Sequence, residues 1–424
     1  MIWIMIVGLF VLIAFGVPIA FSMGAAALMY VLVEGIPLSI VAQRFFSNTQ
    51  SFAFLAVPFF ILAGSLMVHA GIAQRIIQLA HSLVRWLPGG LGCVSVVTNM
   101  VLAGVSGSSV ADAASVGSVL IPEMKKKGYS PSFAASINAS ASVVGIIIPP
   151  SSTMIIIAWL ANLSVAKMFI AGAIPGILIS LAYLVTTIVI SVKRGYPREQ
   201  RPTFKEVAQG VMQAFWAIIM PIFMIGAIVF GIATATEVAA LSAVYAFIIG
   251  FFVYRSLDGK KLMAALKETV VGTTVVMMIV CSSSIFTYIL ISEGIPAMIS
   301  SALLGLGIPD YLMILILVLI LFIAGMIMDL VPNLFIFIPI FFPIATGIGM
   351  DPIHFAIVML CALALGLFTP PVGTTLFLSC HLAKIKVENT YKDLIPYFVI
   401  GALVVILIAY IPGLVMWLPD VLMN

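Results

Sequence analysis

The chain has 424 residues, of which 63% are hydrophobic and 8% charged, and its mean hydropathy is +1.28. A water-soluble domain needs far more surface charge, so this composition excludes a soluble enzyme or binding module and places nearly the whole chain in a lipid bilayer. The net charge of +4 comes without any basic run interleaved with aromatics on a soluble face, which excludes a nucleic-acid partner.

Apolar stretches predict membrane spans near residues 2–16 and 19–33, both short, and 52–69. The first has no basic n-region and no small-residue cleavage site, so it reads as a mature span rather than a signal peptide. Gly71 to Leu87 places Arg75, His81 and Arg85 among Ile76, Ile77, Leu79, Leu83 and Trp86, a pattern for an amphipathic helix lying in the interface. Residues 91–120 are apolar but interrupted by Gly104-Val105-Ser106-Gly107-Ser108-Ser109, which predicts a re-entrant hairpin with a non-helical tip. Such a tip is tolerated only where protein or water covers it.

A broken span is expected over 131–162, interrupted at Pro149-Pro150, followed by a span over 172–192 that closes a first repeat over residues 1–192. Residues 193–212 form a basic cytoplasmic linker. The second half, 213–424, repeats the order with spans near 213–232, 236–254 and 270–291, an interfacial helix from Gly294 to Leu306, a hairpin over 311–342, a broken span over 353–380 and a last span over 396–418.

The duplication is explicit. Ala103 to Thr153 recurs without a gap as Ala324 to Thr374, and Gly145-x-x-x-Pro149-Pro150-x-x-Thr153 returns as Gly366-x-x-x-Pro370-Pro371-x-x-Thr374. Five crossings per half is odd, so the second repeat enters the membrane inverted. With the N-terminus outside, cytoplasmic loops hold Arg75 and Arg85, Lys125 to Lys127, and Lys193, Arg194, Arg198, Arg201 and Lys205. They also hold Arg255, Lys260, Lys261, Lys267, Lys384, Lys386 and Lys392, which leaves only Arg44 and Lys167 of the 19 basic residues elsewhere. The fold class is therefore an all-α polytopic membrane protein with inverted repeats, two re-entrant hairpins and two broken helices. Paired Gly/Pro-interrupted segments of this kind point to a transporter binding site.

Four points carry chemistry. The tip Ser106, Gly107, Ser108 and Ser109 exposes carbonyls and hydroxyls, an oxygen cage suited to a small hard cation such as sodium. At Pro149 and Pro150 free carbonyls face one way, and the helix opened by Ser151, Ser152 and Thr153 offers its N-terminus to an anion. Asn138 precedes them on the same span. The symmetry partners are Asp329 to Asn333, with Pro332, and Thr369 to Thr374, with Gly373. Gly and Ser in apolar helices also serve simply as packing surfaces, but recurrence at matched breaks favours binding. An acidic residue at membrane depth is a functional candidate by default, as Asp329 is, whereas Asp112 reads as a cap of its hairpin loop and Glu237 as a helix cap. Cys93, Cys281, Cys361 and Cys380 and the four histidines show no ligand spacing, so no cofactor or resident metal is expected.

The chain resembles the large membrane subunit of the tripartite ATP-independent periplasmic (TRAP) transporters over essentially its whole length. The resemblance rests on Gly104 to Asp112, Ile147-Ile148-Pro149-Pro150-Ser151, Thr236 to Ala240, Met328-Asp329-Leu330-Val331-Pro332 and Gly366 to Gly373. Ala233-Thr234-Ala235-Thr236-Glu237 lacks the proline that the family usually places between the threonines. The resemblance implies a sodium-driven elevator in the bacterial inner membrane, working with a separate four-helix membrane subunit and a periplasmic binding protein that delivers an organic acid. Because the chain begins directly at its own first span, it is expected not to be fused to the small subunit.

The resulting expectation is an importer of an organic acid anion, of the sialic acid or C4-dicarboxylate class, and not an enzyme. Sodium site 1 takes Ser106, Gly107, Ser108, Ser109, Asn138, Pro149 and Thr153; site 2 takes Asp329, Pro332, Asn333, Thr369, Gly373 and Thr374. The substrate meets Ser108, Ser151, Ser152, Thr153, Asn333 and Thr374 without an arginine clamp, since Arg44 and Lys167 lie outside both motifs. The alternatives are an anion channel and a sodium-coupled carboxylate carrier that works without a binding protein. An intramembrane serine protease lacks its histidine base.

Overall fold

Proline, glycine and short polar caps divide this apolar chain into helices of very unequal length, seen in a computed structural model that describes residues 2–50, 52–305 and 307–423. α1 (Ile2–Ala14) and α2 (Ile19–Val33) are the short opening pair, and α3 (Leu38–Thr49) is a helix that hydropathy alone did not predict. α4 (Ala56–His69) bends by 68° into the interfacial α5 (Ile72–Val84). Gly71 permits the bend with a φ of +70°, where a Cβ would be strained.

The first hairpin is α6 (Gly90–Ser106) and α7 (Ser109–Lys126). The broken helix starts as α8 (Pro131–Ser142), where Ser130 caps and Pro131 supplies a preset φ, and resumes as α9 (Ser152–Leu160). α10 (Val165–Arg194) starts earlier than the expected 172–192 span, and α11 (Phe204–Val229) starts nine residues ahead of 213 because Thr203 and Glu206 form a capping box. Only residues 195–203 therefore separate the two helices. α12 (Ala235–Ile248) continues as a π turn over Ile249–Val253. α13 (Gly259–Ser292) is also longer than its apolar window, since Asp258 caps it by accepting from the Lys261 backbone at 2.8 Å.

α14 (Ile295–Gly305) is the second interfacial helix; its expected end, Leu306, lies outside the described residues. The second hairpin is α15 (Asp310–Ile327) and α16 (Leu330–Gly347), and the second broken helix is α17 (Pro352–Gly366) and α18 (Thr374–Ala383). The expected last span is in fact two helices, α19 (Tyr391–Tyr410) and α20 (Gly413–Leu422), because Pro412 cannot continue the helix before it. Among the described residues there is no strand.

Two sets of helices emerge from the packing. α4 packs on α12 and α13, and α13 also packs on α2 and α3. In the other set, α6 lies on α8 as α15 lies on α17, and α10 on α6 as α19 on α15. The second half of each broken helix reaches across to the opposite repeat: α18 packs on α7 and α8, and α9 on α16. This exchange is the inverted symmetry in three dimensions. The Gly325 and Gly366 backbones touch, since a Cβ on Gly366 would stand 2.1 Å from the Gly325 carbonyl carbon.

Candidate transport site at the two broken joints

The first hairpin tip is only two residues long. Gly107 ends α6 in the left-handed region (φ +59°), and Ser108 starts α7 by accepting from the Ala111 backbone N–H at 3.4 Å. A Cβ on Gly107 would lie 2.8 Å from the Pro150 carbonyl oxygen, so the tip abuts the break of the first broken helix. At that break a tight turn over Val143–Ile146 ends α8, and Pro149 and Pro150 contribute no N–H donors. Ser151 caps α9 through its backbone alone. Its hydroxyl is buried with no hydrogen-bond partner.

The second joint is built alike. Asp329 caps α16 in an extended conformation with no side-chain capping bond. The Asn333 amide donates to the carbonyls of Ala324, Met328 and Asp329 at 3.1, 3.0 and 3.1 Å, closing the tip and leaving its oxygen without a partner. Val372 N–H donates to the Met326 carbonyl at 3.2 Å, joining break to hairpin. The Thr369 hydroxyl donates back to Leu365 and Gly366 at 3.1 Å each, and the Thr374 hydroxyl is buried without a partner. Pro332 is buried and Gly373 caps α18.

Ser108, not Asp112, caps the helix; the Asp112 carboxylate instead interacts with Ser106 of its own hairpin loop, with neither oxygen in good hydrogen-bond geometry. It is fully buried, and a Cβ on Gly145 would stand 2.3 Å from its Oδ2. The carboxylate therefore points at the turn before the break. Its sequence signal was the repeat itself, which aligns Asp112 with Asn333. Asn138 is tied elsewhere in part: its amide donates to the Ala113 carbonyl at 3.0 Å and the Ser379 hydroxyl at 2.9 Å, bracing α8 against α7 and α18, while its oxygen is left without a partner. Glu237 caps α12 as expected, in a capping box with Thr234.

A cavity of about 800 Å³ opens beside the first joint. Ser106, Gly107, Ser108, Pro150 and Ser152 form one wall, and α4 and α13 the other. Ser151, Thr153, Asn333 and Thr374, expected with Ser108 and Ser152 to meet the substrate, do not line it. No lysine or arginine lines it among the described residues; Arg44 stacks over the Tyr288 ring at 4.3 Å, and Lys167 sits in the first turn of α10.

The family model of the tripartite ATP-independent periplasmic transporter, DctM component, matches residues 6–414. The chain belongs to this family. It is 34% identical, over 100% of its length and 98% of the relative, to the C4-dicarboxylate TRAP transporter large permease protein DctM of Vibrio cholerae. To the sialic acid TRAP transporter large permease protein SiaM of the same organism it is 32% identical over 96% of each chain. The crystal structure of the Alcanivorax borkumensis YdaH transporter superposes with a TM-score of 0.64 over 88% of each chain at 15% identity, a likeness of fold. The protein is thus a large permease subunit of the TRAP family and a multi-pass membrane protein.

Proposed function

We propose that this permease imports an organic acid anion, of the sialic acid or C4-dicarboxylate class, by coupling to sodium and moving as an elevator. The observation that carries the reading is the pair of broken joints, each leaving buried oxygens without partners: Asp112 and Ser151 at the first, Asn333 and Thr374 at the second. Buried polar oxygens are costly unless something ligates them. Oxygen-only clusters suit a hard cation, so two joints support two sodium ions. Asn138, which contributes one more partnerless oxygen, stands near the first.

The anion is held at the cavity wall where α7 and α9 both present their N-termini, with sodium charge nearby in place of an arginine. The family supports the partners, a small four-helix membrane subunit and a periplasmic binding protein, with this chain in the bacterial inner membrane; the one-sided distribution of lysine and arginine supports a periplasmic N-terminus. The elevator rests on the cost of exposing irregular backbone to lipid, which keeps joints and hairpins together as they move.

Uptake of N-acetylneuraminate and succinate into vesicles holding the reconstituted complex, with and without an inward sodium gradient, tests the proposal. Uptake of at least one acid should rise with the gradient. Uptake indifferent to sodium, or a steady anion conductance in place of saturable transport, overturns it.

A further inference from the structure

The wall of the cavity opposite the hairpin tip carries a carboxylate, that of Glu268 on α13, the one ionisable group lining the cavity among the described residues. Its side chain is 59% exposed. One oxygen accepts from the Ser65 hydroxyl of α4 at 2.7 Å, and the other lies 3.1 Å from His69 Nε2, an ion pair when that imidazole is protonated. A carboxylate has about four lone-pair sites, so both oxygens keep acceptor capacity toward the cavity.

An organic acid seated with its carboxylate at the N-termini of α7 and α9 therefore turns its far end toward a negative charge. A second carboxylate there meets like-charge repulsion, strengthened by apolar walls from Phe60, Ile61 and Val275. A hydroxyl, amide N–H or ammonium instead donates a charge-assisted hydrogen bond. The contact to Ser65 also braces α4 against α13, but a neutral glutamine would brace them as well without repelling an anionic cargo. We infer that Glu268 is a specificity-determining residue that selects organic acids with hydrogen-bond donors remote from the carboxylate, a polyhydroxylated monocarboxylate in preference to a dicarboxylate.

This rests on reading the cavity as the anion site, and the test separates the two claims. Gluconate and adipate are six-carbon acids that differ in their hydroxyls and in the second carboxylate. Binding of each to the purified full-length permease with its membrane partner is measured by titration calorimetry in sodium, beside N-acetylneuraminate and succinate. The wild type should bind gluconate at least about tenfold tighter than adipate, the scale of one charge-assisted hydrogen bond. Glu268→Gln should shrink that ratio about tenfold, largely through tighter adipate binding. Ser65→Ala, which breaks the brace and keeps the charge, should preserve it. An adipate affinity equal to that of gluconate in the wild type, a ratio unmoved by Glu268→Gln, or succinate as the tightest ligand overturns the inference while leaving the anion site standing. Binding of none of the four acids removes the anion site and this inference with it.

Discussion

Asp112 and Asn333 occupy the same position of the two repeats, and each buries a side-chain oxygen that lacks a well-formed hydrogen bond. Four residues earlier the register pairs Ser108 with Asp329, so each repeat keeps one carboxylate and one neutral side chain, in exchanged positions. Each joint thus carries one carboxyl group beside free oxygens, a single negative charge when ionised. Under the proposed sodium coupling that is the charge a monovalent cation would neutralise, and Asp112 would share the role expected of Asp329.

Asp112→Asn and Asp329→Asn should each raise the sodium concentration for half-maximal uptake, by about ten- to a hundredfold if each charged contact contributes 1.5–3 kcal/mol. Flux against sodium concentration in reconstituted vesicles checks this. An unchanged midpoint at normal protein levels removes the residue from its site.

Gly366→Ala should damage the fold rather than the ion sites. The added Cβ would stand 2.1 Å from the Gly325 carbonyl carbon, and backbone gives way poorly, so overpacking should cost about 1–3 kcal/mol or more. Gly413→Ala has nothing within 4 Å of the new atom and serves as the control. Thermal unfolding in detergent should show a lowered midpoint for the first variant only.

An acid-sensitive link joins the first hairpin to the segment between α10 and α11. Glu199 pairs with Lys127 at the end of α7 and lies 3.1 Å from His81 Nε2 of α5. Burial pushes its carboxyl up, but Lys127 and His81 outweigh burial and hold it below the usual carboxylate range. A depressed folded-state pKa stabilises the link at neutral pH, and this contribution is lost as pH falls below the ordinary value of about 4.3 and through the folded-state one. Hydrogen-exchange protection over 195–203, taken relative to the slower intrinsic exchange in acid, should therefore fall on acidification, and Glu199→Gln should show the lowered protection already at neutral pH. Identical exchange in wild type and variant at neutral pH contradicts the link.

The inverted topology predicts opposite sides for Lys126 and Asp351. In a cysteine-free background, a cysteine at Lys126 should resist membrane-impermeant reagents in intact cells, and one at Asp351 should react. Equal labelling from outside contradicts the inversion.

The parts of the fold fixed by local backbone chemistry were legible in the sequence. Gly107, Pro149-Pro150, Pro370-Pro371 and the Thr234/Glu237 box mark the tip, the breaks and a helix start, because each restricts or frees a few torsions wherever it sits. Elements that depend on distant neighbours were not. α3, which carries Arg44, is held by packing on α13, and hydropathy does not register it. The early start of α13 lies in polar turns with Lys260 and Lys261, outside any apolar window. The division of α19 from α20 was obscured by the apolar run on either side of Pro412. At the site, the placing of Asp112 against Gly145 depends on tertiary surroundings that the sequence does not show, and Glu268 was missed because only the fold brings α13 opposite the hairpin tip.

The most direct test of the account is the distance between the joints and the scaffold across the transport cycle. Ser109 begins α7 and Thr374 begins α18, and these two helices pack together; Tyr245 lies on α12, which packs on α4. Spin labels further along the same helices, at the exposed Ser118 of α7 and His381 of α18, should keep a constant separation with and without sodium and N-acetylneuraminate or succinate. The separation of each from a label at Tyr245 should shift by several ångströms or more, about the size of a one-turn displacement. A fixed distance to Tyr245 together with α7 and α18 labels that move apart would contradict the elevator and favour local gating.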